Sequence, residues 1–105
     1  MTKAAPPHFH GHRRRLKEKF AAAAPGTLYD YEMLELLLGY AIPRRDVKPL
    51  AKALLSRFAT LKGVMDALEE ELVEVPGIGF HTAILIRLVR DMGTLYLGEE
   101  ARGKI

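Results

Sequence analysis

Residues 72–86 read Leu-Val-Glu-Val-Pro-Gly-Ile-Gly-Phe-His-Thr-Ala-Ile-Leu-Ile. Apolar residues at helical spacing stand on both sides of a Pro-Gly-Ile-Gly turn, so the segment reads as helix, tight turn, helix. Gly77 and Gly79 flank a single apolar residue, Ile78, which plugs the space between the helices. Ala83 is small where the two helices must approach. Glycine tolerates positive φ and carries no Cβ to hold a ligand off. Bare amides at the start of a helix, where the dipole favours negative charge, make this turn a candidate phosphate site.

Leu72, Val75, Gly77, Ile78, Gly79, Ala83 and Ile86 fill the pattern apolar-x-x-apolar-x-Gly-apolar-Gly-x-x-x-Ala-x-x-apolar. The segment resembles the helix-hairpin-helix motif. That resemblance implies amides around Gly77, Gly79 and His81 donating to DNA phosphates. An ordinary helix–helix turn, with Gly77 simply ending the first helix, is the alternative. The pattern departs from many members of the motif class at one place. They carry Lys or Arg two residues after the second glycine, and here it is His81, whose charge depends on pH.

A chain of 105 residues, 49% of them hydrophobic, has material for one modest core. Without cysteine it has no disulfide framework and no thiolate zinc site, which suits a reducing compartment. It shows neither a signal-peptide core nor an apolar run of membrane-spanning length, so it reads as a soluble cytoplasmic protein with no membrane partner. The net charge is +3, but its distribution is uneven. Residues 1–20 carry six Lys/Arg and one Glu, and residues 44–62 carry six and one Asp. Residues 66–74 carry five acids and no base. Two basic blocks suit an anionic polymer if both face it, and are otherwise solvated helix faces.

The periodicity predicts about six helices and no strand. A loose segment covers residues 1–9. A first helix runs from His12 to about Ala24, with Leu16, Phe20 and Ala24 on one face. Pro25-Gly26 ends it, and Thr27 or Asp30 caps an apolar helix over 28–41. After Ile42-Pro43-Arg44-Arg45, Asp46 caps a helix over 47–58, with Pro49 tolerated in its first turn. Thr60 caps a short helix to Leu68. Residues 69–75 and 80–97 form the two arms around the glycine turn, the second with Ile84, Leu85, Leu88, Met92 and Leu95 on its apolar face. The helical domain spans 10–98, and 99–105 reads as the start of a linker or tail. The tyrosines and phenylalanines read as core or core edge rather than as base-stacking platforms.

Residues 28–58 repeat the helix-loop-helix layout without the glycines, so 42–46 stands where the first hairpin of a paired unit would be. The expected fold is all-α, a paired helix-hairpin-helix domain similar to RuvA domain 2 and to endonuclease III, whose corresponding segment Leu34–Phe58 resembles. Arg44 and Arg45 supply guanidinium groups there, which grip phosphate through paired hydrogen bonds. A surface pairing with Asp46 is the plainer role for them.

Three further segments point to one family: Gly11-His-Arg-Arg-Arg-Leu-Lys-Glu-Lys-Phe20, Asp30-Tyr-Glu-Met-Leu-Glu-Leu-Leu-Leu38, and Ala41-Ile-Pro-Arg-Arg-Asp-Val-Lys-Pro-Leu-Ala51. From about His10 to Leu97 the chain resembles the N-terminal region of RadC-family proteins, bacterial proteins named for DNA repair. In that family a JAB/MPN metalloprotease-like domain follows, so the resemblance implies that this sequence is a fragment of a longer protein.

No catalytic constellation emerges. No Ser-x-x-Asp segment follows His8, His10 and His12 as a JAB-type metal site would need, so the third ligand carboxylate is missing. Glu69-Glu70-Glu71 point in different directions from a short helix and complement its dipole. Ser56 and Thr60 have no histidine at motif spacing, and no Walker-type Gly-Lys-Ser/Thr occurs. The expectation is a non-catalytic DNA-binding module without metal, cofactor or small-molecule ligand. Its contacts would be Gly77, Ile78, Gly79, His81, Thr82, Arg44, Arg45 and Arg87, binding phosphate weakly, in a salt-dependent way and without sequence preference. The alternatives are a module docking another repair or replication protein, or one that orients substrate for a C-terminal metalloprotease-like domain.

Overall fold

A computed structural model describes residues 8–103. Its elements are α1 His8–Ala22, α2 Asp30–Ala41, α3 Lys48–Phe58, α4 Leu61–Asp66, α5 Glu69–Leu72 and α6 Phe80–Gly103. Among the described residues there is no strand, so the all-α expectation with about six helices holds. Most of the expected loose segment 1–9 lies outside the described residues, and its last two residues already belong to α1. At the other end α6 stays helical through Gly103, so residues 99–103 are not extended chain. The chain divides between Lys52 and Ala53 into two compact units.

The first unit contains α1, α2 and the start of α3. α1 packs on α2. Leu16, Leu28, Leu34, Leu38, Val47 and Ala51 are its buried apolar residues. Leu34 and Leu38 lie one turn apart on the same face of α2. Neither Thr27 nor Asp30 caps that helix. Tyr29 holds the cap position, its N–H donates 2.9 Å to the Glu32 carboxylate, and the Thr27 hydroxyl donates to the Ala24 carbonyl instead. Lys19 of α1 donates to the same Glu32 at 2.8 Å, tying the two helices at the surface. Asp46 accepts from the Lys48 N–H at 3.1 Å and so closes the turn that begins α3.

The second unit contains the rest of α3 and α4–α6, with α4 and α5 both packed on α6. Thr60 caps α4 as expected, its hydroxyl accepting from the Gly63 N–H at 2.9 Å. The buried apolar residues are Leu54, Val64, Leu72, Val75, Ile78, Ala83 and Ile86. The last five are apolar positions of the 72–86 pattern. Each Leu, Val or Ile among them contributes roughly 1.5–3 kcal/mol by leaving water. The apolar face expected along the whole of α6 is buried only near its start. Ile84, Leu88, Met92 and Leu95 are exposed. Length explains this: α6 has 24 residues, or about 36 Å, whereas α4 has six and α5 four, about 9 and 6 Å. No helix among the described residues is long and apolar enough to cross a membrane.

Candidate functional site

The turn between α5 and α6 is built by its own sequence. Ile78 N–H donates to the Val75 carbonyl at 3.0 Å, closing a four-residue turn with Pro76 second and Gly77 third. Gly77 has φ 98°. Proline second and a positive-φ glycine third are the signature of a type II turn. The buried Val75 and Ile78 anchor both ends of it in the core.

Gly79 is different. Its φ lies outside the left-handed region, and a Cβ added there would meet nothing within 4 Å. Among the described residues, neither backbone conformation nor packing requires glycine at this position. Gly79 is also the residue before α6, and its carbonyl accepts the first helical hydrogen bond, from Ala83 N–H at 3.0 Å. A serine or aspartate here would use its side chain to accept from the first-turn amides. Glycine leaves the amides of Phe80, His81 and Thr82 without that partner.

The side chains around this turn divide. His81 is exposed beside it. Thr82 is only 4% exposed, which withdraws its hydroxyl from a direct contact with anything outside. Arg87 is paired within the chain, to Glu69 and, at 3.7 Å, to Asp91. The hydrogen bond it donates to Glu69, then the charges of Glu69 and Asp91, push the guanidinium further toward its charged form. A phosphate contact by Arg87 therefore has to displace Glu69.

In the first unit, the loop after α2 is closed by a residue that the sequence placed only in a basic block. Arg13 of α1 donates to the carbonyls of Pro43 at 2.7 Å, Ile42 at 2.9 Å and Gly39 at 3.5 Å, and to that of Arg45. The last carbonyls of a helix carry partial negative charge and lack helical donors, so a guanidinium there neutralises the end of α2 and folds the loop onto it. Arg44 and Arg45 are exposed on that loop.

Sequence periodicity gives no sign of one further pair in this unit. Glu35 is 3% exposed, and His12 Nε2 approaches its Oε2 to 2.7 Å. The other carboxylate oxygen, Oε1, has no hydrogen-bond partner among the described residues. His12 is thus the side-chain partner of a buried carboxyl. No group of three or more His, Cys, Asp or Glu among the described residues is placed to hold a metal ion. Three tyrosines expected at the core or its edge, Tyr29, Tyr40 and Tyr96, are exposed.

The described residues thus define an all-helical protein of two compact units, one with a glycine turn leading into a long helix, the other with a loop clamped by arginine. A family model for the UPF0758 N-terminal domain matches residues 11–84, and the chain belongs to that family. The match covers the three segments through which the sequence resembles RadC-family N-terminal regions. No solved structure matches the chain.

Proposed function

We propose that this chain is a non-catalytic module of a RadC-like protein that binds DNA through its phosphate backbone, with residues 72–86 acting as a helix-hairpin-helix motif. The observation that carries the reading is Gly79. The fold does not explain its missing side chain, and an anion approaching the first turn of α6 does. Amides of the turn donate to the phosphate, and the exposed His81 adds a contact that strengthens on protonation. Arg44 and Arg45 contribute guanidinium groups from their own loop. Contacts of this kind fix position without reading sequence.

Fluorescence anisotropy with duplex, branched and single-stranded DNA tests this. The expected Kd is on the order of 10⁻⁴ to 10⁻⁶ M near physiological salt. Gly79→Ser should keep the fold, since its Cβ has room, and stabilise α6 by a few tenths of a kcal/mol, about the cap difference between serine and glycine. The new hydroxyl competes for the amides, so DNA binding should weaken. Binding that is absent at low salt on every substrate overturns the proposal, and binding unchanged in Gly79→Ser removes the turn from the site.

A second reading has its own observation. Leu88, Met92 and Leu95 form an exposed stripe on α6 at three- and four-residue spacing, beside Tyr96. An uncovered apolar helix face suits docking of another protein, a repair or replication partner under the RadC resemblance. A flat DNA titration would favour this role.

A further inference from the structure

The charge of the chain is divided as its fold is. Residues 1–52 hold ten Lys/Arg against five Asp/Glu, a formal +5, and residues 53–105 hold six against eight, a formal −2, which together give the +3 of the whole. The glycine turn therefore lies in the acidic unit. The basic unit carries a cleft of about 400 Å³ lined by His10, Arg13, Arg14 and Lys17 of α1 with Gly39, Tyr40 and Pro43. That volume lies within the range of roughly 300–1,000 Å³ typical of small-ligand sites.

The lining is selective in its chemistry. Among the described residues it contains Arg13, Arg14, Lys17 and His10 and no carboxylate. Arg13 is spent on carbonyls and serves as the wall that fixes the loop side of the cleft. Arg14 and Lys17 are the exposed cations. Arg14 is 83% exposed, and its nearest acid, Glu18, stands 3.9 Å away and is itself well exposed, a contact too solvated to hold the guanidinium in place. Lys17 Nζ lies over the Tyr40 ring, 4.9 Å from its centroid, and the tyrosine is 66% exposed. An ammonium held over one face of an exposed aromatic side chain, with a loosely held guanidinium on the same helix, offers the two contacts a nucleotide makes: charge for the phosphate and the rest of the ring for the base.

We propose that the α1–α2 cleft is a nucleotide-binding site for single-stranded nucleic acid, with Arg14 and Lys17 on the phosphate and Tyr40 against the base. The site belongs to the first unit and does not depend on the glycine turn. An acidic peptide would use the cations but has no need of the exposed ring, so the aromatic wall decides for a nucleotide.

The test is amide chemical-shift mapping on the full chain with three probes: a thymidine oligonucleotide, thymidine monophosphate and inorganic phosphate. A poly-glutamate peptide serves as competitor. The oligonucleotide should shift the amides of Arg14, Lys17, Gly39 and Tyr40 at low salt. Tyr40→Ala, at an exposed position, should weaken oligonucleotide binding by about 5- to 150-fold, the range for removing one base stack, and leave inorganic phosphate unaffected. Arg14→Glu with Lys17→Glu should abolish the response to all three. Oligonucleotide binding much tighter than monophosphate binding identifies a strand as the source, and equal binding identifies a free nucleotide, both within the proposal. Unmoved cleft amides overturn it. So does poly-glutamate that competes equally while Tyr40→Ala changes nothing. Gly79→Ser should leave these shifts intact, so failure here is separable from failure at the turn.

Discussion

Gly63 shows how strongly a single side-chain position constrains this fold. A Cβ built on it would fall well inside contact distance of the Phe58 carbonyl oxygen, a backbone atom that no side-chain rotation can move aside. The close approach follows from the turn after α3. Ala59 adopts φ 73°, the Thr60 N–H donates to the Phe58 carbonyl at 2.9 Å, and the Thr60 hydroxyl accepts from Gly63. Gly63→Ala would normally favour a helix, by about 1 kcal/mol. Here it should destabilise by about 1–3 kcal/mol, because overpacking against backbone outweighs propensity. Urea denaturation of the two proteins measures the difference, and a stabilised variant would refute the close approach. The sequence has no means of showing this, since nothing in helical periodicity separates a glycine that is merely tolerated from one that is required. Gly77 is legible because Pro-Gly between apolar anchors is local turn chemistry. Gly63 is not, because the atom that excludes its Cβ belongs to the preceding turn.

At the level of elements, helices that begin or end on local signals are legible in the sequence, and those organised by long-range pairs are not. Thr60 caps α4 as its spacing predicts, since its partner is three residues away. The start of α2 departs from expectation because Tyr29, rather than Thr27 or Asp30, holds the cap: its N–H donates to Glu32, which also pairs with Lys19 of α1. That pair gives the α1–α2 contact a pH dependence. The hydrogen bond from Lys19, and after it that from the Tyr29 N–H, holds the Glu32 carboxyl below its ordinary 4.5. The same bond raises the Lys19 ammonium above its ordinary 10.5. A depressed carboxyl stabilises the fold fully above its unfolded value and loses that contribution as pH falls through its folded one. A raised ammonium does the opposite, fully stabilising below 10.5 and failing as pH rises through its folded value. Glu32→Gln can still accept from Tyr29 and lacks only the charge. Its melting temperature should fall below that of the parent at neutral pH. The gap should close as the pH drops below 4.5, and a gap that persists there would assign the contribution to shape rather than charge.

For the whole molecule, charge and backbone geometry pull the DNA reading toward different units. The second unit holds the glycine turn, yet it is formally acidic and pairs several of its cations with acids at the surface: Arg57 with Glu74, Lys62 with Asp66, Arg87 with Glu69. The first unit's own Pro25-Gly26 turn, closed from the Thr27 N–H to the Ala24 carbonyl at 3.2 Å with Gly26 at φ 82°, lacks a second glycine before its helix, but the unit exposes Arg44 and Arg45 on a loop clamped by Arg13. The two modes of phosphate binding have different salt signatures. A side-chain cation that neutralises a phosphate releases condensed counterions, so each neutralised phosphate adds about −0.9 to the slope of log affinity against log salt on duplex DNA. An amide donor carries no net charge and releases far fewer. Arg44→Glu with Arg45→Glu should therefore flatten the slope, by about 0.9 for each phosphate that the pair had neutralised. Gly79→Ser should lower affinity at every salt concentration and leave the slope in place. Duplex titrations between roughly 20 and 200 mM salt, on the order of the range over which such slopes are measured, separate the two. A slope unchanged by the arginine pair would remove the 42–46 loop from the DNA interface, and a slope altered by Gly79→Ser would mean that the turn acts through charge rather than through its amides.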